Sequence, residues 1–165
     1  RRLVEAGVCY VQIFPPLQPS FQPRDSHNDL RNGIRTIASM VDQPTAALVT
    51  DLKRQGLFDE TIVVWSGKFG RIPITENANG RDHNRNAFTT LIVGGGFKPG
   101  HIHGVTDEFG YQSVTDRVSV PDLHATIFHQ LGLDHSKLAF CHKGRMKRLT
   151  DPEVADAQMV KPLLS

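Results

Sequence analysis

Three short runs of apolar residues punctuate this chain, and two longer stretches repeat their apolar positions at helical spacing. The runs 8–14 (VCYVQIF), 62–65 (IVVW) and 88–93 (FTTLIV) are rich in β-branched side chains, and each predicts a strand, the second and third buried. Between the first two, Leu30, Ile34, Ile37, Met40 or Val41, Leu48 and Leu52 mark one face of a long helix over 29–57. Pro44 predicts a kink or a restart within it, with Asp42 as a possible new N-cap, and Gly56 is the natural stop. Strand, helix, strand is a βαβ unit, so the strands of 8–14 and 61–66 are expected to be parallel neighbours. A second helix is predicted over 119–131 (SVPDLHATIFHQL), with Pro121 and Asp122 in its first turn and Gly132 ending it. Its apolar face is Leu123, Ile127 and Leu131. The first residues, RRLVEAG, look like the last turns of a helix closed by Gly7, which predicts a fragment of a longer domain. The segment 138–151 predicts irregular structure with one or two short edge strands, and 152–165 a surface closure.

The polar segments between these elements carry the candidate chemistry. After the first run comes a loop with Pro15, Pro16, Pro19 and Pro23, and then Asp25 and His27, two residues apart. In extended backbone both side chains point to one face, as two ligands of one ion require; an Asx-type turn with Asp25 or Asn28 capping the following helix is the alternative. The run 62–65 discharges through Ser66-Gly67 into Lys68, Gly70 and Arg71, and the loop ends in Arg81-Asp82-His83. A strand that opens into a loop of glycine, charge and Asp-His is a common setting for a site in α/β proteins. Gly94-Gly95-Gly96 lacks the spacing of a phosphate loop and reads as a tight turn. His101 and His103 alternate without a third ligand nearby, and His124 and His129 do not share a helix face.

Composition narrows the partners without adding a site. The 165 residues are 39% hydrophobic and 22% charged, which is globular composition. A net charge of +2 gives no case for a nucleic-acid partner, and the run Lys143, Arg145, Lys147, Arg148 reads as a solvated face. No apolar run is long enough to span a membrane, and no signal peptide is visible. Cys9 and Cys141 form no zinc or disulfide pattern, and Cys9 is expected in the core.

The blocks D-x-H, DLKRQGLFDETIVVWSG, FGRIP, GRDHN, FTTLIVGGG, HGVTDEFGY and DLHATIFHQLGLDH occur here in order. Together they closely resemble the bacterial family catalogued as domain of unknown function fifteen-oh-one, a sulfatase-like branch of the alkaline phosphatase superfamily. The resemblance implies a three-layer α/β/α sandwich with a mostly parallel sheet, of which residues 1–165 would be the C-terminal part of a single, incomplete domain. It implies a metal-dependent hydrolase of sulfate or phosphate esters, with a small-molecule or glycan ester as substrate and an extracytoplasmic or periplasmic location. Asp25, His27, Asp82 and His83 would hold a divalent ion (calcium, zinc, magnesium or manganese), and Lys68 and Arg71 would bind the substrate anion. The sulfatase Cys-x-Pro-x-Arg signature is absent, so the nucleophile is expected upstream of residue 1. The family's usual Trp before D-x-H is Arg24 here, and its Gly-Glu-Phe-Gly-Arg-Thr-Pro segment reads GKFGRIP, with Lys68 in place of the acidic residue. An ammonium cannot ligate a cation. The alternative is therefore a non-catalytic domain that binds an anionic ligand or partner, with Lys68 paired to Asp25 or Asp82 in the metal's place.

Overall fold

The computed structural model describes residues 1–14, 25–75, 77, 79–150 and 156–165. The four prolines of the 15–24 loop, Arg24 and Pro152 lie outside the described residues. The elements in chain order are helices α1 (Arg2–Glu5) and α2 (Leu30–Arg54), strands β1 (Val63–Ser66), β2 (Gly70–Arg71), β3 (His83–Asn84), β4 (Thr90–Val93), β5 (Val105–Thr106) and β6 (Ser113–Thr115), helix α3 (Val120–Gln130), and strands β7 (Phe140–His142) and β8 (Arg145–Lys147). A short 3₁₀ turn at Lys161–Leu163 closes the chain. Among the described residues no helix is long and apolar enough to cross a membrane.

The expected sandwich with a mostly parallel sheet is not what these residues form. The strands pair as four two-stranded antiparallel sheets, β1 with β4, β2 with β3, β5 with β6 and β7 with β8. The predicted βαβ unit fails at its first strand: residues 8–14 carry no ladder and are exposed, and Cys9 is exposed with them rather than in a core. An apolar run extends as a strand only where a neighbour satisfies its N–H and C=O groups. β1 finds that neighbour in β4, with Val63 opposite Val93 and Ser66 opposite Thr90. The short pair buries little, so Trp65 and Leu91, 54% and 51% exposed, contradict the expected buried strands.

The chain divides into two compact units. The first, residues 1–58 and 68–88, holds α1, α2, β2 and β3; the second, residues 59–67 and 89–165, holds the other elements. In the first, α2 runs without a break through Pro44, so the helix does not restart there and Asp42 is not its N-cap. Proline removes one intrahelical bond there, and the turns on either side carry the helix through. The actual N-cap is Asp29, whose carboxylate accepts from Asn32 N. Arg1 ties α1 to Asp51 of α2 at 2.6 Å, and Leu52 is the buried apolar residue among the described residues of this unit. Gly56, at φ 69°, stops α2 as predicted: Gly56 N donates to Lys53 O and Leu57 N to Leu52 O. Those two bonds are a Schellman motif, which needs a left-handed residue at its corner.

In the second unit α3 opens with a capping box. Ser119 Oγ accepts from Asp122 N, and the Asp122 carboxylate accepts from Ser119 N. Partial burial pushes the Asp122 carboxyl up, but hydrogen bonds from Gln158 N and Ser119 outweigh it and hold the group below the ordinary carboxylate value. The C-terminal segment is more than a surface closure, because α3 supplies its acceptors. Gln158 N donates to Asp122 Oδ1 at 2.8 Å, and Val160 N donates to Thr126 Oγ1 at 3.0 Å. Beyond them, Lys98 N donates to Leu163 O and Ser165 N to Gly96 O. Thr126 is fully buried and passes its own proton to Asp122 O at 2.7 Å. Thr126→Val keeps the shape but leaves the Val160 N–H without its acceptor. It is expected to cost about 1–3 kcal/mol, read as a lowered urea midpoint, because an orphaned buried donor carries its full desolvation penalty.

Candidate metal centre

The first unit assembles its polar residues from two segments about sixty positions apart in the chain. β2 and β3 place Arg71 directly opposite His83, so the two side chains share one face of the ribbon. The connection between them returns through Ile72 N to Asp82 O at 3.0 Å. Against its last residues lies the segment that leads into α2. Arg81 N donates to Ser26 O, Leu30 N donates to Asn79 O, and Asp29 bridges Asn79 in parallel fashion. Gly80 makes this approach possible: a Cβ on it would stand 1.7 Å from His27 O. Ser26 points the other way, so that a Cβ on Gly33 of α2 would meet its hydroxyl. Asp25 reaches Arg71 of β2 and His83 of β3, and His27 reaches His83.

The result is a set of donors gathered on one carboxylate oxygen. Asp25 Oδ1 lies 2.9 Å from His27 Nε2 and 3.0 Å from His83 Nε2, while Arg71 Nη2 donates to the same oxygen at 3.0 Å. The two imidazole Nε2 atoms are 3.2 Å apart. A hydrogen bond from the His83 ring holds the Asp25 carboxyl below the ordinary carboxylate value; loss of hydration opposes this, and Arg71 and the His27 charge reinforce it. Arg71 is anchored a second time by donating from Nη1 to Arg81 O at 2.9 Å. Phe69 stacks on His83 with ring centroids 3.8 Å apart, which fixes the plane of that imidazole.

The predicted residues thus separate. Asp25, His27 and His83 offer ligand atoms that all lie within 4.8 Å of one another. Asp82 stands beside this group: its Oδ1 accepts from His83 N at 2.6 Å and is 3.9 Å from His27 Nδ1. Lys68 places its ammonium over the Phe69 ring, 4.9 Å from the centroid, and among the described residues it forms no ion pair with Asp25 or Asp82. Arg71, expected to face an anion, is held against Asp25 instead. Phe69 and Gly80 were not singled out from the sequence, although an aromatic beside a strand end and a glycine before Arg-Asp-His were both visible there.

The donor chemistry suits an ion. Ligands around a tetrahedral zinc at its usual bond lengths stand about 3.3 Å apart, and the separations here are 2.9, 3.0 and 3.2 Å. Two imidazole nitrogens and one carboxylate oxygen fit zinc or manganese better than calcium, which takes six to eight oxygens. His101 and His103, their rings 5.8 Å apart, have no carboxylate with them in a comparable group among the described residues.

Searches of curated proteins and of solved structures return no match. A family model described as "Protein of unknown function (DUF1501)" matches residues 1–164. With all but the last residue inside that match, the chain belongs to the DUF1501 family of proteins of unknown function.

Proposed function

We propose that Asp25, His27 and His83 hold a divalent metal ion, zinc or manganese by their donor set, and that the protein uses it to hydrolyse sulfate or phosphate esters. The observation that carries this reading is the meeting of three ligand atoms, from segments 56 and 58 residues apart, at hydrogen-bond separations. A bound divalent ion neutralises charge on the transferred group and lowers the pKa of a nucleophile. The chain's own residues do the rest. Phe69 keeps the His83 ring from turning, and Asp82 takes the His83 backbone N–H while its carboxylate stands near the far nitrogen of His27. Partners of this kind orient ligating imidazoles. Arg71, bound to both Asp25 and Arg81 O, holds the carboxylate in place beside the two imidazoles.

The second reading is a domain that binds an anion without catalysis, and the Lys68 substitution favours it. Metal analysis of the full chain, purified without added metal and again after loading with zinc or manganese, separates the two. The hydrolase reading expects about one ion per chain, together with turnover of an aryl sulfate or aryl phosphate. Wild type that stays empty after loading, while Lys68→Glu takes up an ion, would establish the binding domain instead.

A further inference from the structure

Beside the donor group, an open cleft of about 790 Å³ lies along the first two turns of α2. Its lining includes Arg31, Arg35 and Arg81, with Leu30, Ile34 and Thr75. The volume falls in the range of small-molecule sites, roughly 300–1,000 Å³. Among the described residues its charge is unbalanced. Asp29 also borders it, but that carboxylate is spent on Asn32, accepting from Asn32 Nδ2 at 2.6 Å and from Asn32 N. Among the described residues, neither Arg31 nor Arg35 has a hydrogen bond or an ion pair. They stand four apart on the helix, a spacing at which like charges weaken it. The third guanidinium is aimed by its surroundings: Arg81 Nη1 donates to Gly80 O at 2.8 Å and to Thr75 Oγ1 at 3.2 Å. The helix end is already capped by Asp29, so the arginine side chains rather than the helix N-terminus give the cleft its character.

Arg81 also joins the cleft to the donor group. Its N–H donates to Ser26 O, between Asp25 and His27, and its carbonyl accepts from Arg71 Nη1. The cleft and the donor group are therefore built on one backbone frame. Ile34, 55% exposed, adds an apolar surface that an inorganic ion would not need.

From this arrangement we infer that the Arg31–Arg35–Arg81 cleft binds a second oxyanion, sulfate or phosphate, of a ligand whose first oxyanion lies at the Asp25–His27–His83 group. The substrate class is then a multiply esterified small molecule, with an organic body that covers Ile34. The inference rests on the metal-dependent reading above for the chemistry at the first oxyanion. Guanidinium forks recognise such oxygens in pairs, and two linked contacts gain affinity by making the second intramolecular.

Calorimetric titration of the full chain at one fixed salt concentration tests it. The probes are a monosulfated disaccharide, its disulfated counterpart, and a hexose monophosphate and bisphosphate. Wild type should bind one of the doubly charged ligands at least tenfold more tightly than its singly charged partner, and which pair does so identifies the oxyanion. Arg31→Gln with Arg35→Gln should bring that ratio to within twofold, without changing affinity for the single ester, metal content or helical circular dichroism. Glutamine and arginine have similar helix propensity, so α2 should persist. A ratio near one in wild type, a ratio unchanged in the double variant, or an equal fall for both ligands would each overturn the inference. A preference that the double variant abolishes, in a chain that takes up no metal, would keep the cleft and remove the hydrolase reading.

Discussion

Gly80→Ala should collapse the candidate centre more completely than loss of any single ligand. The added Cβ would stand 1.7 Å from His27 O, 2.1 Å from His27 C and 2.8 Å from Asn28 N. All three are backbone atoms, so no rotamer change relieves the overlap. The segment carrying Asp25 and His27 must move off residues 79–81, breaking the Arg81 N to Ser26 O bond and the Leu30 N to Asn79 O bond. Overpacking of this kind typically costs 1–3 kcal/mol, and a clash with rigid backbone belongs at roughly 3 kcal/mol or above. The urea midpoint should fall accordingly, and bound metal should fall with it. Gly56→Ala is the fitting control: open space surrounds that position, so only the strain of φ 69°, about 1–2 kcal/mol, applies. If the Gly80 variant unfolds at the wild-type midpoint, the close approach of the two segments is wrong.

Asp25→Asn tests the centre itself while preserving its volume. The amide cannot supply the anionic oxygen that Arg71, His27 and His83 share. Loss of an outer partner of a metal site costs 10–100-fold in affinity, so loss of a ligand should cost at least about 100-fold. Competition titration with a metal indicator reads this directly, and an unchanged affinity would place the ion elsewhere. Stability in the metal-free protein should also change, with a definite dependence on pH. The folded Asp25 carboxyl titrates below its ordinary value. Its contribution is therefore complete above the unfolded value, about 3.9, and is lost as pH falls through the folded one. Wild type should exceed the variant in urea midpoint at pH 7, and the gap should close in strong acid. Asp25 is 34% exposed, so the gap should be the small one of a screened pair. A gap that persisted below both values would assign the effect to something other than this charge.

Parts of the molecule follow from short-range pattern alone. The apolar spacing from Leu30 to Leu52, the Gly56 and Gly132 stops and the Ser119–Asp122 start define α2 and α3, because a helix satisfies its backbone within a few residues. The strand at 62–65 and the one ending at Val93 were legible as short apolar, β-branched runs. Asp25, His27 and His83 were candidates by residue type.

Pairing was not legible, because an apolar β-branched run suggests a strand without naming its neighbour. Residues 8–14 form as apolar a run as β1 does, yet they have no ladder, while β1 lies antiparallel to β4. Pro44 read as a break, although the flanking turns of α2 tolerate it. Asp82 and His83 looked equivalent as ligands. The β2–β3 register turns His83 toward Asp25, and the Asp82 carboxylate goes to the adjacent N–H. Lys68 was expected to bind the substrate anion or to pair with Asp25 or Asp82 in the metal's place, and in the folded chain it rests on Phe69. By itself, then, the sequence determined the two long helices, two of the strand segments and the ligand types. A helix closes its bonds within a few residues, whereas a strand needs a neighbour. Which side chains converge was decided by the tertiary structure, through one ribbon register and one glycine that lets two backbones touch.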